Sequence, residues 1–162
     1  MHEVFLGIGG NTGNKHDNFD KVYTFIKNDL GDIIKRSSVY ETPPWGFESE
    51  ENFWNQVIIV ETQFSPEKLL KNITEIENWF GRERVHGKYT SREMDIDILY
   101  FDDLIMNIEI LTIPHPQIAN RLFVLVPLAE IAPEFVHPLL RLNSLQMLKN
   151  CSDSSTIKKV EL

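Results

Sequence analysis

The chain has 162 residues, a formal net charge of −8, 42% hydrophobic and 25% charged residues, which fits one ordinary soluble catalytic or binding domain with a single sizeable core. The acidic balance argues against bulk binding of nucleic acid or an anionic membrane, where a basic footprint is expected. No apolar run approaches the roughly 18 residues of a membrane span, no leader pattern opens the chain, and the lone Cys151 forms no internal disulfide, as expected in a reducing cytoplasm.

Glu3 to Ile8 reads as a short apolar strand that ends in a glycine-rich stretch, Gly7-Ile8-Gly9-Gly10-Asn11-Thr12-Gly13. The stretch fails both nucleotide fingerprints. Thr12 stands where a dinucleotide motif from Gly7 needs glycine, and Asn14 and His16 break a Walker A from Gly9. A strand-to-helix turn and a ligand loop both remain open. Asp17 to Leu30 has helical spacing in Phe19, Val22, Tyr23, Phe25 and Ile26, with Gly31 as a stop. Ile33 to Tyr40 reads as a strand. Thr42-Pro43-Pro44-Trp45-Gly46-Phe47 is a proline-stiffened loop carrying two aromatics.

Phe53 to Thr62 is a strong strand, with Asn55 on the face of Phe53, Val57 and Ile59. A polar amide in that row needs a partner, and a ligand is one candidate. Ser65 is a fair N-cap, Pro66 a fair first helical residue, and Leu69, Ile73, Ile76 and Phe80 share a face up to Gly81. Leu104–Met106 reads as another short strand and 111–116 as a proline-framed loop. A helical stretch follows from Ile118 to Ile131, interrupted or kinked at Pro127. A last short element is expected within Leu139–Leu148. From about 152 the polar tail is expected to be loosely ordered. The order β-α-β-β-α-β plus a C-terminal extension predicts an α+β, ferredoxin-like domain.

The stretch from Arg82 to Phe101 carries the chemistry. Arg82, Arg84, Lys88 and Arg92 cluster in an otherwise acidic chain, just before the strand Asp95-Ile96-Asp97-Ile98. On a strand Asp95 and Asp97 share a face, with Cα atoms about 6.6 Å apart, while Met94, Ile96 and Ile98 take the buried face. Paired carboxylates repel unless a cation lies between them, and Mg²⁺ is the fitting one. Carboxylates for metal beside guanidinium groups for phosphate oxygens point to phosphoryl transfer.

These residues resemble the family of 6-hydroxymethyl-7,8-dihydropterin pyrophosphokinases. The matching pieces are Gly9-Gly10-Asn11, Glu41-Thr42-Pro43-Pro44, Phe53 and Asn55, Arg82 and Arg84, Lys88-x-x-x-Arg92-x-x-Asp95-x-Asp97, Pro114-His115, Asn120-Arg121, Phe123 and Glu130-Ile131-Ala132-Pro133. The resemblance implies transfer of pyrophosphate from ATP to the hydroxymethyl group of the dihydropterin, with release of AMP, in folate biosynthesis. It implies two Mg²⁺ ions on Asp95 and Asp97, and Arg82 and Arg92 as catalytic cations. It implies a nucleotide side formed by Arg84, Lys88, Tyr89, Arg92, His115 and Arg121, with Glu77, Ile98 and Thr112 at its edge. The pterin would stack between Trp45 or Phe53 and Phe123, with Thr42 and Asn55 reading its hydrogen-bonding edge and Pro43 and Pro44 beside it. Gly10, Lys88, Tyr89, Thr90, Ser91 and Pro116 depart from the commonest family pattern, which bears on nucleotide grip and loop closure more than on the reaction. Partners are then two small molecules, ATP and the dihydropterin, bound by a cytoplasmic monomer. The competing readings are another Mg²⁺-dependent transferase, in which the aromatic residues would be idle, and a non-catalytic binding module, in which both aspartates would be dispensable.

Overall fold

A computed structural model of the chain describes residues 1–43, 51–81 and 93–161. Its helices are α1 (Lys15–Asp29), α2 (Pro66–Trp79), α3 (Leu122–Ile131) and α4 (Ser144–Asn150). The strands are β1 (His2–Gly10), β2 (Asp32–Arg36), β3 (Tyr40–Thr42), β4 (Phe53–Thr62), β5 (Asp95–Phe101), β6 (Met106–Ile108), β7 (Leu111–Ile113) and β8 (Lys158–Lys159). Among the described residues one antiparallel sheet runs β5-β1-β4-β3-β8, with β2 also on β4, and β6 and β7 form a hairpin apart from it. The architecture is mixed α/β with an antiparallel sheet.

The two faces of the sheet follow from strand alternation. On one face Val4, Leu6 and Ile8 of β1, Ile58 and Val60 of β4, and Ile96 and Ile98 of β5 pack against Phe19, Val22 and Ile26 of α1 and Leu69, Ile73 and Ile76 of α2. Helix α2 starts where Ser65 accepts the amide of Lys68 at 3.3 Å, with Pro66 behind it. On the other face Phe5, Val57, Ile59, Leu99 and Tyr100 meet Leu125, Leu128 and Ile131 of α3 and Met147 of α4. Among the described residues, helices α3 and α4 cover only part of that second face.

Several elements differ from the sequence reading. The glycines at 7, 9 and 10 lie inside β1 rather than in a turn after it. The expected strand from Ile33 to Tyr40 is two strands. It breaks at Ser37, whose amide still donates to the Val57 carbonyl at 2.9 Å but whose hydroxyl accepts the Val57 amide at 3.0 Å and donates to the Ser38 carbonyl at 2.8 Å, so a side chain replaces one ladder bond there. The helical stretch from Ile118 is a 3-10 turn (Ile118–Asn120) and then α3, separated by Arg121 in an extended conformation (φ −128°, ψ 116°). Within α3, Pro127 is accommodated, although it offers no amide to the carbonyl of Phe123 four residues earlier. Leu111–Ile113 is strand rather than loop.

The tail also departs from the expectation of loose order. Lys158 and Lys159 add a strand to the edge of β3, and the Val160 amide donates to the Val39 carbonyl at 2.9 Å. The reason is an open sheet edge, which accepts any extended segment able to reach it.

Candidate active site

The part of the second face that the described helices leave uncovered is a cleft. Strands β1, β4 and β5 make its floor through Gly7 and Gly9, through Phe53, Asn55 and Val57, and through Asp95, Asp97 and Leu99. Thr42 at the end of β3 and Pro43 just after it form one wall. Arg121, Phe123 and Val124, at the start of α3, close it from above.

Register explains why this floor is open. Gly9 pairs with Asn55 on one side and Asp95 on the other, and Gly7 pairs with Val57 and Asp97. Both aspartates therefore face a strand position that projects no side chain. Gly9 is also a close approach: a Cβ built there falls inside the contact radius of Asn55 Oδ1 and only 2.9 Å from the Trp54 carbonyl oxygen. Only glycine lets Asn55 lie across β1. One strand further out, Thr42 pairs with Phe53.

A bulge in β5 then changes the pattern. Leu6 pairs with Ile98 but Phe5 pairs with Tyr100, so Leu99 is an extra residue. Leu99 and Tyr100 consequently both contribute to the second core, and the Leu99 carbonyl accepts the His115 amide at 2.9 Å. The bulge thus brings the segment after β7 against β5.

The structure brings Thr42, Pro43, Phe53, Asn55, Asp95, Asp97, Arg121 and Phe123 to this one cleft. It places Glu77, Ile98, Thr112 and His115 elsewhere. Glu77 is buried on α2, and its Oε2 accepts the Ile96 amide at 3.0 Å. Ile98 is in the core beneath the sheet, which fits its alternation rather than a ligand contact of its side chain. Thr112 is on β7, within hydrogen-bond distance (3.3 Å) of Asn107 Oδ1. His115 accepts the Gln117 amide on Nδ1 at 3.1 Å, so its neutral ring carries the proton on Nε2. Burial lowers its pKa, and the charge of Asp95 opposes that shift. Pro44, Trp45, Arg82, Arg84, Lys88, Tyr89 and Arg92 lie outside the described residues.

Arg121 is buried, and desolvation pulls its pKa down, but a guanidinium stays charged at neutral pH. Its carbon lies 5.5 Å from the Phe123 ring centroid, a cation–π distance. The residues missed by sequence reasoning are Gly7 and Gly9. Their signal was available: Phe5, Gly7 and Gly9 alternate with the core-facing Val4, Leu6 and Ile8, so they share the second face.

Residues 5–133, most of the chain, match the family model of 7,8-dihydro-6-hydroxymethylpterin-pyrophosphokinase. The chain belongs to this family. It is 37% identical over 158 residues to the 2-amino-4-hydroxy-6-hydroxymethyldihydropteridine pyrophosphokinase of Aquifex aeolicus, covering 98% of this chain and 95% of that one. It is 35% identical over 157 residues to the folic acid synthesis protein FOL1 of Dictyostelium discoideum, covering 97% of this chain and 24% of that protein. Among solved structures, a wild-type HPPK-DHPS of Plasmodium falciparum shares its fold, with a TM-score of 0.72 at 18% identity, over 93% of this chain and 43% of that one. This chain thus spans less than half of that Plasmodium chain and about a quarter of the Dictyostelium protein.

Proposed function

We propose that the cleft catalyses the reaction for which its family is named. The pyrophosphoryl group of ATP passes to the hydroxymethyl oxygen of 6-hydroxymethyl-7,8-dihydropterin. A bond forms between that oxygen and the β-phosphorus, the bond from the β-phosphorus to the bridging oxygen of the α-phosphate breaks, and AMP leaves as the hydroxyl proton is lost. The observation that carries this reading is the row Asn55–Gly9–Asp95 across three adjacent strands. It puts an amide able to read a heterocycle edge, a bare floor, and a carboxylate in one line.

The remaining cleft residues follow from the same assignment. Phe53 and Phe123 supply apolar faces for a flat ring, and Thr42 adds a hydroxyl at its side. Arg121 supplies a buried positive charge above the floor, suited to a phosphate oxygen. The nucleotide lies toward the outer edge of β5, where His115 stands. Arg82, Arg84, Lys88, Tyr89 and Arg92 join it on the strength of sequence alone, as do Trp45 and Pro44 for the pterin. The split arrangement, with β1 between β4 and β5 and β2 beyond β4, supports the ferredoxin-like assignment, one catalytic domain and a C-terminal extension.

Asp95 and Asp97 are half-buried carboxylates on one strand face with no side chain opposite them on β1, a donor set that suits Mg²⁺. Two such ions would neutralise phosphate charge and favour ionisation of the substrate hydroxyl. The chain acts in this reading as a cytoplasmic monomer. Among its described residues no helix is long and apolar enough to cross a membrane.

The test is AMP release from ATP and Mg²⁺, with and without the dihydropterin, in wild type and Asp97→Ala. Pterin-dependent AMP that collapses in the variant is expected. ADP in place of AMP would retain phosphoryl chemistry but remove the pyrophosphokinase assignment.

A further inference from the structure

The C-terminal tail touches both walls of the cleft from behind. At one wall, α3 begins without help from its own N-cap, because the Arg121 side chain makes no capping bond. Pro127 also removes the amide that would pair with the Phe123 carbonyl. The first turn of α3, which carries Phe123, is therefore short of internal bonds. Asp153 of the tail supplies one: its Oδ2 accepts the Leu122 amide at 3.0 Å. The other oxygen accepts the Ser155 amide at 2.9 Å and the Ser155 hydroxyl at 2.5 Å, which fixes the carboxylate in place.

At the other wall, β3 is three residues long and ends at Thr42. The tail pairs Lys158 with Glu41 and Lys159 with Tyr40, and Val160 donates to Val39. Without β8, β3 would be strand-paired on one side only, through β4.

We infer that the tail is a brace whose Asp153 and Val160 are positioning residues, holding the Phe123 wall and the Thr42 wall at the separation a planar ligand needs. This rests on the reading above that the cleft takes the dihydropterin. The β3 contact acts on that ligand and not on ATP, because it reaches neither β5, His115 nor Arg121, whereas the Leu122 contact stands next to Arg121 and so bears on both ligands.

The test uses the full chain in wild type, Asp153→Ala, Asp153→Asn and Val160→Pro. Amide hydrogen exchange is followed without substrate, and kcat and KM are measured for each substrate by AMP release. Asp153→Ala is expected to speed exchange at Leu122–Leu125 and Val160→Pro at Tyr40–Thr42. Each is expected to raise KM for the dihydropterin by about fivefold, the scale of one lost helix cap, with KM for ATP and kcat unchanged in Val160→Pro. Asp153→Asn keeps an acceptor for Leu122 but turns an NH2 toward the Ser155 amide, and is expected to reverse part of the rise in dihydropterin KM. Equal rises in both KM values in Val160→Pro, or faster exchange with an unchanged dihydropterin KM in either variant, would overturn the brace. A wild type that releases no pterin-dependent AMP would remove the functional reading instead. Unchanged exchange in both Asp153→Ala and Val160→Pro would overturn the brace whatever the turnover.

Discussion

Asp95 lies directly opposite Gly9 in the antiparallel ladder between β5 and β1. Asn55 takes the position across from Gly9 on the far side, in β4. The two polar residues thus share one row of the sheet with nothing but a glycine Cα between them. A side chain at 9 would meet Asn55 Oδ1 and the Trp54 carbonyl together, and a backbone carbonyl in a central strand cannot simply swing away.

Gly9→Ala is therefore expected to cost about 1–3 kcal/mol of stability, the usual scale of overpacking. Its larger effect is displacement of the Asn55 amide. KM for the dihydropterin should rise on the order of tenfold, equivalent to about 1.4 kcal/mol. Thermal melts and steady-state kinetics on the same preparation check both. A variant with wild-type KM would mean that Asn55 does not read the ligand.

Phe123 closes the cleft from the first turn of α3, with the Arg121 guanidinium 5.5 Å from its ring centroid. Phe123→Ala removes one stacking face, worth about 0.5–1.5 kcal/mol beyond area, so dihydropterin affinity should fall by about two- to tenfold. Phe123→Trp keeps an aromatic face and should bind nearly as the wild type does. Calorimetric titration with the dihydropterin separates these outcomes from effects on ATP. Equal affinity of the alanine and tryptophan variants would exclude stacking at this position.

Asp97 sits opposite Gly7 as Asp95 does opposite Gly9. Asp97→Asn keeps shape and hydrogen bonding but removes the charge that a hard cation requires. Turnover should fall at least about a hundredfold, since metal-derived charge stabilisation is worth several kcal/mol. EDTA should abolish wild-type AMP release and Mg²⁺ should restore it. Turnover that survives both treatments would leave the aspartates without a metal role.

Much of this arrangement was legible beforehand because it follows from local rules. The alternation in Asp95-Ile96-Asp97-Ile98 puts the acids on one face, and Ser65-Pro66 starts α2. What was not legible depends on partners distant in sequence. The alternation of β1 shows which face Gly7 and Gly9 share, but their role emerges only when β4 and β5 flank β1, because Gly9 is bare between Asn55 and Asp95 and Gly7 between Val57 and Asp97. Glu77 is expected on the nucleotide side, and the bond of its Oε2 to the buried Ile96 amide has no sequence signal because it depends on α2 packing against β5. The tail looked too polar to settle, but backbone pairing to β3 and the Asp153 cap ignore side-chain hydrophobicity. The Leu99 bulge has no sequence signal at all, since Ile98, Leu99, Tyr100 and Phe101 are apolar on either face.

Glu130 at the end of α3 offers a pH test of how α3 is tied to β3. Its carboxylate accepts the Tyr40 hydroxyl at 2.5 Å, the Ser38 amide at 2.9 Å and the Ser38 hydroxyl at 3.1 Å. Partial burial pushes its pKa up, but these bonds and the charge of Lys159 outweigh that and hold it below the ordinary carboxylate range. A depressed folded-state pKa gives stability that is complete above the unfolded value and is lost as pH falls through the folded one. Tyr40 has the opposite sign. Burial first, and then Glu130, push its phenol up to about 12, so its contribution is present below the unfolded phenol value and lost as pH rises toward the folded one. Urea unfolding from acid to alkaline pH is therefore expected to show Glu130→Gln less stable than wild type at neutrality, with the two curves converging in acid. Tyr40→Phe should flatten the alkaline limb. Curves for Glu130→Gln and wild type that stay parallel down through the acid limb would show that the carboxylate's charge does not hold α3 to β3.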